Sequence, residues 1–397
     1  MRILFLSPRQ CWPAHGGAKL REYYILRAAA KVAEVTYAHF SDPGSAPLTR
    51  VDLPFLSKVA AVPKPPAYGI AQAVRGIAGR WPLPVLNYTS PEMTRVVEGL
   101  AAAGPFDFVH LEGIHLFGYA GLAAGRVVYD WHNIESEAMR RYSATAGSPA
   151  RRWYASITAG KLETLERDML RHAFGHIVCS ERERRKLQSQ APSARLAVVE
   201  NGVDCSYFER LCPEAGKDSI VFVARMDNVA NATAAKRFAR FTWPRIRARM
   251  PGLRLLLVGA EPLPSVRALA DLPGVEVTGT VDDIRPYYQR ALAAVVPLLS
   301  GSGTRLKILE AMAARAPVIS TPLGAEGLDA VPGEHLLIAE PGDAEAWLRH
   351  LIRLDGSPEE RERLTTEALA FVRSRYDWEV LGAKLARIYE SWSGESF

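Results

Sequence analysis

Short apolar strands alternate with helical segments along almost the whole of this 397-residue chain. Residues Ile3 to Ser7 are typical of a buried parallel strand, and a loop that contains Pro and Gly connects them to a helical pattern at residues 20–31. A second series with the same alternation begins at Ser219. Such alternation favours parallel sheets covered by helices on both faces, and the length suits two domains of this kind. The sequence therefore predicts an α/β fold of two Rossmann-like, doubly wound domains.

The boundary between the two domains is expected just after the segment AVVENGVD, where Asn201 and Gly202 supply the turn chemistry of an exposed connection. We assign residues 1–205 to an N-terminal domain and residues 206–376 to a C-terminal domain. A last helical pattern follows, and residues 377–397 are expected to pack back onto the N-terminal domain.

Two stretches give a coarser secondary-structure signal. The Pro-rich residues 42–84 carry no sustained periodic pattern, so we interpret them as irregular structure. Residues 135–172 follow a helical pattern throughout, and we interpret them as one long helical region.

Composition and charge argue against several classes of protein. No apolar stretch approaches the ~20 residues needed to span a bilayer. The N-terminus lacks the apolar core and cleavage site of a secretory signal, so we expect a cytoplasmic protein. The four cysteines form no CxxC pair, which argues against a metal site or a disulfide framework. Residues 1–204 hold 25 Lys and Arg against 18 Asp and Glu, but acidic residues interrupt the basic runs, so nucleic acid is not an expected partner.

The strongest chemical signal is the segment SGSGTRLKILEAMAARAPVIST at residues 300–321, in which a loop rich in Gly and Ser enters an amphipathic helix. Small residues expose backbone N–H groups at a helix N-terminus, where the helix dipole favours a phosphate. Arg305 and Lys307 add positive charge, and Glu310 can accept two hydrogen bonds from a ribose diol. A helix cap with an incidental surface acid is the alternative for this segment taken alone.

Six motifs follow one another in a set order along the chain. They lie at residues 15–17 (HGG), 201–204 (NGVD), 223–227 (VARMD), 277–283 (VTGTVDD), 307–321 (KILEAMAARAPVIST) and 324–328 (GAEGL). In this order they resemble the family 4 glycosyltransferases, which are retaining enzymes of the two-domain GT-B architecture. The resemblance covers nearly the whole chain apart from residues 42–84. Within the family, the chain looks most like bacterial enzymes that build exopolysaccharide or modify lipid-linked glycans.

The resemblance implies two domains that face a central cleft and a nucleotide-diphosphate sugar as donor substrate, with no cofactor and no metal. By the same resemblance, Gly16, Gly17 and Arg225 would hold the diphosphate. Val281 would contact the base and Glu310 the ribose. The full set of predicted donor-binding residues, which includes positions that depart from the family pattern, is Gly16, Gly17, Arg225, Asn231, Val281, Ser302, Gly303, Thr304, Arg305, Lys307 and Glu310.

The donor site of this chain departs from the family pattern at two places. Ser302 stands where many relatives carry an acidic residue, and Ala230-Asn231 stands where a Lys is usual. We hypothesise that Lys307 or Arg305 supplies the missing cation and that Asn231 hydrogen-bonds the donor.

The predicted catalytic residues are Glu112, His132 and Arg225, of which the resemblance itself assigns Arg225 to stabilising the leaving nucleotide. Glu112 occupies a strand end where many relatives place a His near the transferred sugar. A carboxylate there could stabilise oxocarbenium-like charge or accept a proton. A carboxylate that caps the next loop is the alternative. His132 lies in the motif DWHNIE, where a structural role and a contact with substrate are both open.

The sequence thus predicts a retaining hexosyltransferase that moves a sugar from a nucleotide-diphosphate sugar to a glycan or lipid-linked acceptor by front-face transfer. Residues 68–81 and 139–159 mix Arg with aromatic and apolar side chains, which suits peripheral contact with the inner membrane face, although core packing explains the same pattern. Two alternatives stay open: a sugar-nucleotide 2-epimerase of the same architecture, and a non-catalytic homologue that binds a nucleotide sugar. A dinucleotide dehydrogenase is not supported, because neither half has GxGxxG after its first strand.

Overall fold

The computed structural model of the protein describes residues 1–14, 16–66, 69–209, 217–300 and 305–395. The chain forms two compact units, and we describe each by itself. The first unit comprises Met1–Asn201 together with the residues from Leu381 onward, and the second unit comprises Gly202–Val380.

Residues 202–205 and 377–380, which the sequence analysis assigned to the N-terminal domain and its packing helix, belong to the second unit. The backbone explains this difference. The amide of Val203 donates to the carbonyl of Tyr376 at 2.9 Å, and the amide of Trp378 donates to the carbonyl of Val203 at 3.1 Å. These two hydrogen bonds join the segment that enters the second unit to the segment that leaves it.

A parallel sheet forms the centre of the first unit. Among the described residues its strand order is β3-β2-β1-β4-β5-β6-β7, so the order reverses between β1 and β4. In a doubly wound sheet, ligands bind at the carboxyl ends of the strands next to such a reversal. The strands are β1 (Arg2–Ser7), β2 (Glu34–Ser41), β3 (Lys58–Pro63), β4 (Phe108–Glu112), β5 (Arg126–Trp131), β6 (Gly175–Val178) and β7 (Leu196–Val198).

Helices connect these strands, and an additional 3₁₀ turn at Ile114–Tyr119 follows β4. Ser148 caps the sixth helix by accepting a hydrogen bond from the amide of Arg151 at 3.3 Å, and Pro149 takes the first helical position. The helices are α1 (Gly17–Ala29), α2 (Ile70–Ala78), α3 (Leu83–Leu86), α4 (Pro91–Ala102), α5 (Glu135–Thr145), α6 (Pro149–His172) and α7 (Glu181–Gln190).

Two sequence-based expectations for the first unit were wrong. Residues 42–84 are not irregular, because they contain β3, α2 and α3; β3 pairs in parallel with β2, with Val59 opposite Tyr37. The partly buried, Ala-rich strand KVAAVP gives only a weak strand signal. Residues 135–172 form two helices, α5 and α6, rather than one.

The second unit repeats the architecture with a second parallel sheet. Its strand order among the described residues is β10-β9-β8-β11-β12-β13, and the order reverses between β8 and β11. The strands are β8 (Ser219–Val223), β9 (Arg254–Val258), β10 (Val275–Gly279), β11 (Ala291–Val296), β12 (Val318–Ser320) and β13 (Leu337–Ile338).

The helices of the second unit include one π-helical turn, Phe238–Thr242, and one 3₁₀ turn, Ala268–Asp271. They are α8 (Cys205–Glu209), α9 (Val229–Arg237), α10 (Trp243–Arg249), α11 (Pro264–Arg267), α12 (Arg285–Arg290), α13 (Leu306–Ala313), α14 (Pro322–Ala325), α15 (Ala344–Gly356) and α16 (Pro358–Arg375). Together with the first unit, these elements confirm the predicted α/β class with two Rossmann-like domains.

The final helix, α17 (Trp378–Gly394), begins in the second unit and continues as part of the first. The ring of Trp392 lies against Gly175, where a Cβ atom would come within 2.8 Å of that ring. Tyr389 is fully buried and packs edge-on against Phe108, with ring centroids 5.2 Å apart. The helix therefore completes the hydrophobic packing beside β4 and β6.

Two further findings concern the described part of the chain. None of its helices is both long and apolar enough to cross a membrane. Cys11, Cys179 and Cys205 are buried free thiols, and Cys212 lies outside the described residues.

Candidate functional site

Two carboxylates and two imidazoles meet at the carboxyl edge of the first sheet. Glu112 ends β4, and its Oε2 lies 2.5 Å from Nε2 of His132, which follows β5. Its Oε1 lies 3.1 Å from Nε2 of His110. Glu22 projects from α1, and its Oε1 lies 4.0 Å from Nε2 of His132. We call Glu22, His110, Glu112 and His132 the first-unit cluster.

Burial sets the character of this cluster. The side chains of Glu22, His110 and Glu112 are fully buried, whereas that of His132 is 17% exposed. Ser7, the last residue of β1, donates its hydroxyl to Oε2 of Glu22 at 2.7 Å, and Arg9 lies 3.4 Å from Oε1 of Glu22. His132 is therefore the member of the cluster through which a substrate can reach it.

The cluster shifts the pKa values of its members in opposite directions. Burial raises the pKa of Glu22 to about 7, and the nearby Arg9 offsets only part of that effect. Burial also acts against ionisation of Glu112, but the charge of His132 and the hydrogen bonds from both histidines hold its pKa well below the usual range. Burial alone would lower the pKa of His132, yet Glu112 raises it. Near neutral pH, Glu112 is therefore ionised beside a histidine that favours the imidazolium form.

The hydrogen bonds of Glu112 indicate whether its carboxylate caps the next loop, which was the alternative to a catalytic role. The amide of Gly113, which begins that loop, donates to the carbonyls of Leu111 and Asp130, both at 3.0 Å. The carboxylate of Glu112 instead contacts His110 and His132. This arrangement leaves the carboxylate in a site suited to stabilising positive charge or taking part in proton transfer.

Asp130, the acid that precedes His132 by two residues, has a different partner. It forms a fully buried ion pair with Arg21, at 2.7 Å between Oδ1 and Nη2. Arg21 also donates to the carbonyl of Val199 at 2.8 Å and to Oδ1 of Asn201 at 3.1 Å. This pair therefore anchors the backbone at which the chain leaves the first unit.

Among the residues that the structure describes, two triplets of side chains bring potential metal-ligand atoms within 4.8 Å of one another. In each triplet a guanidinium already neutralises one carboxylate: Arg9 lies beside Glu22, and Arg21 pairs with Asp130. These cations oppose the binding of a further positive charge. The triplets are Glu22, Glu112 and His132, and His110, Glu112 and Asp130.

The predicted diphosphate-binding arginine lies at the carboxyl edge of the second sheet. Arg225 follows β8 and is 58% exposed, and its Nη2 lies 2.6 Å from Asp227 and 2.8 Å from Glu261. Asn231 donates its side-chain amide to the carbonyl of Arg225 at 2.9 Å. Asn228 caps α9 by accepting the amide of Ala230 at 3.0 Å. The loop that carries Arg225 is thus held by two asparagines.

Lys307 and Glu310 lie three residues apart on α13, so both project from one side of this helix. Both side chains are partly buried. Burial raises the pKa of Glu310 to about 7, and the charge of Lys307 offsets part of this increase. Burial lowers the pKa of Lys307 to about 8, and the positive charge of Arg305 lowers it in the same direction. We call Arg225, Asn231, Lys307 and Glu310 the second-unit site residues.

The remaining predicted donor residues have varied environments. Arg305 is buried, and its Nη2 lies 3.6 Å from Glu326, so its side chain faces a protein carboxylate. Val281 is partly buried and packs against the core of the second unit. Gly16 has a φ of 96°, a conformation that favours glycine, and precedes Gly17, the first residue of α1. Ser302, Gly303 and Thr304 lie outside the described residues, as does His15.

Sequence reasoning missed Glu22 and Arg9, and it left His110 without a role. A signal was available for His110, because residues two apart in a strand share a face and His110 precedes Glu112 by two. Glu22 gave no comparable signal. Its place in the cluster depends on how α1 rotates against the sheet.

Comparison with known proteins shows matches on both units. Residues 26–202 match the family model described as a glycosyl transferase 4-like domain, and residues 217–355 match the model for glycosyl transferases group 1. The phosphatidyl-myo-inositol mannosyltransferase of Mycobacterium tuberculosis is 27% identical over 321 residues, which cover 77% of this chain and 79% of the relative.

Two solved structures extend the comparison over nearly the full chain. Sucrose-phosphate synthase from Thermosynechococcus elongatus has a TM-score of 0.72 at 18% identity, with 98% of this chain and 99% of that chain covered. Anabaena Alr3699/HepE, in complex with UDP and glucose, has a TM-score of 0.67 at 17% identity, with 98% and 100% covered. At this identity the likeness shows a shared fold.

Proposed function

The chain belongs to the family 4 glycosyltransferases, and on that premise we propose that it transfers a sugar from a nucleotide-diphosphate sugar to a glycan or lipid-linked acceptor with retention of anomeric configuration. The observation that carries the donor part of this proposal is the placement of Lys307 and Glu310 three residues apart on α13. A cation and a ribose-binding carboxylate there suit a nucleoside diphosphate at the carboxyl edge of a Rossmann-like sheet. The UDP complex of the Anabaena relative in fold supports the same donor class.

Arg225 supports the diphosphate assignment. It is exposed at the strand end next to the point where the strand order reverses, and a guanidinium binds phosphate oxygens in a bidentate manner. In the proposed reaction, Arg225 and Lys307 stabilise the charge that develops on the leaving diphosphate. We propose on this basis that neither a cofactor nor a divalent metal is required.

The proposed transfer occurs on one face of the donor sugar. The acceptor oxygen bonds to the anomeric carbon as the bond from that carbon to the diphosphate breaks, and a diphosphate oxygen receives the acceptor's proton. Glu112, ionised and held by two histidines, stabilises positive charge on the sugar. His132 is partly exposed and contacts substrate in this proposal.

A relative and the surface of the first unit support the proposed lipid-linked acceptor. The M. tuberculosis relative is named as an enzyme that acts on a phosphatidyl lipid. In the first unit, Val74 on α2 and Trp153 on α6 are each 57% exposed. Arg75 directly follows Val74, and Arg151 precedes Trp153 by two residues. Lys161 of α6 binds the carbonyls of Gly76 and Ile77, which holds the two helices together. Exposed apolar side chains among arginines suit peripheral contact with anionic lipid.

The decisive experiment begins with donor binding and ends with product stereochemistry. Thermal shifts are measured with UDP-, GDP-, ADP- and dTDP-sugars for the wild type, Glu310→Gln and the control Glu345→Gln, whose carboxylate pairs at the surface with Arg245. We expect one nucleotide class to stabilise the wild type and the control but not Glu310→Gln. Absence of a shift with every donor would contradict the proposal.

Activity is then tested with the donor that binds, with phosphatidylinositol vesicles and soluble glycans as acceptors, in the presence and absence of EDTA. We expect an α-linked product from an α-linked donor and no effect of EDTA. A β-linked product would overturn retention, and loss of activity in EDTA would overturn metal independence. Epimerisation of UDP-GlcNAc without acceptor would favour the 2-epimerase, and binding without turnover would favour a non-catalytic homologue.

A further inference from the structure

We propose that Tyr389, on α17, is a positioning residue for the first-unit cluster and acts through His110 to hold the Glu112 carboxylate in its working orientation. This inference rests on the proposed function, because it assigns Glu112 to the transfer site. It adds Tyr389 and His110, which lie 279 positions apart in the sequence, to the residues that support that site.

Three consecutive hydrogen bonds connect the helix to the site. The hydroxyl of Tyr389 lies 2.5 Å from Nδ1 of His110, and Nε2 of His110 lies 3.1 Å from Oε1 of Glu112. The other carboxylate oxygen, Oε2, lies 2.5 Å from Nε2 of His132. Tyr389, His110 and Glu112 are buried, so water does not compete for these bonds.

The proton positions follow from the chemistry of each group. An ionised carboxylate can only accept, so Nε2 of His110 must carry the proton that faces Glu112. In a neutral ring, Nδ1 is then an acceptor and takes the hydrogen bond from the hydroxyl of Tyr389. The hydrogen bond from the tyrosine hydroxyl therefore stabilises the histidine tautomer that donates to Glu112. The opposite tautomer would place a lone pair of His110 against the carboxylate.

We call the hydrogen-bonded series Tyr389, His110 and Glu112 the relay. Packing holds its middle residue, His110, in place. The ring of His110 stacks on Phe5 with centroids 4.2 Å apart and planes inclined by 10°. Phe108, on the same face of β4 as His110, packs against the ring of Tyr389. The imidazole is thus held between β1 and α17 with both nitrogens engaged, which fixes its orientation as well as its tautomer.

Other charged groups face Glu112 and His132 and influence their titration. They come from the β1 loop, α1, β5 and the start of α5, and the relay is one contribution among them. These groups are Arg9, Arg21, Glu22, Asp130 and Glu135, and the neutral His115 also lies close.

The first experiment compares Tyr389→Phe with Trp392→Phe, both in the full-length protein. Tyr389→Phe removes a hydroxyl and keeps the ring, whereas Trp392→Phe alters the docking of the same helix on Gly175 and the packing on the Tyr389 ring but keeps the Tyr389 hydroxyl. For Tyr389→Phe we expect kcat to fall about 10-fold with an unchanged donor KM. Because a weaker hydrogen bond from His110 raises the pKa of Glu112, the titration of the Glu112 carboxylate, followed by its ¹³C chemical shift, should move to higher pH. Trp392→Phe should leave that titration in place.

A second variant separates positioning from simple loss of packing. His110→Gln keeps an N–H donor for Glu112 that does not depend on a tautomer. In this background, Tyr389→Phe should therefore lower kcat much less than it does in the wild type. Equal losses in the two backgrounds, or the same shift of the Glu112 titration in Trp392→Phe, would overturn the relay.

The relay can also be tested without any turnover. In ¹⁵N-histidine NMR spectra, His110 of the wild type should show a protonated Nε2 and an unprotonated Nδ1, and Tyr389→Phe should change the Nδ1 resonance. If the wild type transfers no sugar but this pattern is found, the proposed function fails and the hydrogen-bonded relay stands as a structural finding. If Nδ1 carries the proton in the wild type, or the spectrum is the same in both proteins, the relay is wrong.

Discussion

The carboxyl edges of the two sheets hold their charged residues in opposite ways. In the first unit, Glu112 is buried and each of its carboxylate oxygens faces a histidine. In the second unit, Arg225 is 58% exposed and pairs with two surface carboxylates, and Lys307 and Glu310 are partly buried on α13. Removing one partner of a buried charge destabilises a protein strongly, whereas an exposed ion pair contributes little and exchanges partners readily. The first edge therefore presents a preformed group, and the second presents exposed or partly buried cations for the diphosphate that we propose it binds.

The largest effect is expected when the charge of Glu112, the preformed group of the first edge, is removed. Glu112→Gln keeps the shape of the side chain but removes the charge that His110 and His132 face, so we expect kcat/KM to fall about 100- to 1,000-fold. Donor affinity, measured by calorimetry, should stay within about twofold if the second unit alone sets it. Glu137→Gln is the matched control, because Glu137 is an acid of α5 that pairs with Lys186 near the surface. Activity within twofold of the wild type for Glu112→Gln would remove the contrast between the two edges.

The next largest effect is expected at Arg225, the cation that we propose binds the diphosphate. Arg225→Ala should weaken donor binding by about 30- to 100-fold, since charge-assisted bidentate hydrogen bonds are lost. Because the arginine is exposed, the thermal stability of the free protein should hardly change. The control is Arg245→Ala, which removes an exposed arginine that pairs with Glu345 on the same unit. A donor dissociation constant equal in the two variants would show that Arg225 is only a surface ion-pair partner.

A smaller effect is expected from pH, through Lys307 and Glu310. Burial raises the pKa of Glu310 to about 7, so the carboxylate that we propose to bind the ribose forms as the pH rises through 7. The pKa of Lys307 is lowered to about 8, so its charge is lost as the pH rises through 8. Affinity for a UDP-sugar should therefore be highest between these values and fall by up to about 10-fold for each pH unit outside them.

Two substitutions assign the limbs of this profile. Glu310→Gln should flatten the acidic limb, and Lys307→Met should flatten the basic limb. Calorimetric titrations between pH 6 and pH 9 measure both. If each variant keeps the limb that its own residue is expected to produce, these two residues do not set donor affinity.

The smallest effect is expected at Glu261, which pairs with Arg225 and has a φ of 53°. A left-handed backbone is strained for any residue except glycine, so Glu261→Gly should change the free energy of unfolding by less than about 1 kcal/mol, towards higher stability. Loss of a competing carboxylate should strengthen donor binding about two- to threefold. Glu261→Gln keeps the backbone strain and removes the charge, so it should reproduce the gain in affinity without the gain in stability. Weaker donor binding in both variants would mean that Glu261 holds Arg225 ready for the donor.

The sequence carries enough information to place Glu112 beside His132. Both lie where neighbouring strands of a parallel sheet end, and the apolar strands β4 and β5 are easy to recognise. The contribution of Glu22 could not be read in this way, because it depends on the rotation of a helix against the sheet. The link from His110 to Tyr389 was equally hidden, since no local pattern connects residues so far apart in sequence.

Arg305 illustrates a different limit. Its position before an amphipathic helix predicts a phosphate contact, yet its side chain is buried and faces Glu326. Sequence spacing fixes where a residue lies along a helix, but the rotamer of a long side chain depends on neighbours that are distant in sequence. The strand β3 was missed for a related reason, because its pairing with β2 rather than its own composition makes it a strand.

The contribution of α17 to the first unit has a consequence for how the protein is made. During synthesis, the ribosome produces the whole of the second unit before the residues from Leu381 onward emerge. Until then, Phe108 and Gly175 lack the aromatic rings that cover them, and His110 lacks its tyrosine. Nascent first units therefore expose an apolar patch for many seconds at ordinary translation rates. The packing around the first-unit cluster is in this way completed only after the residues from Leu381 onward have been synthesised.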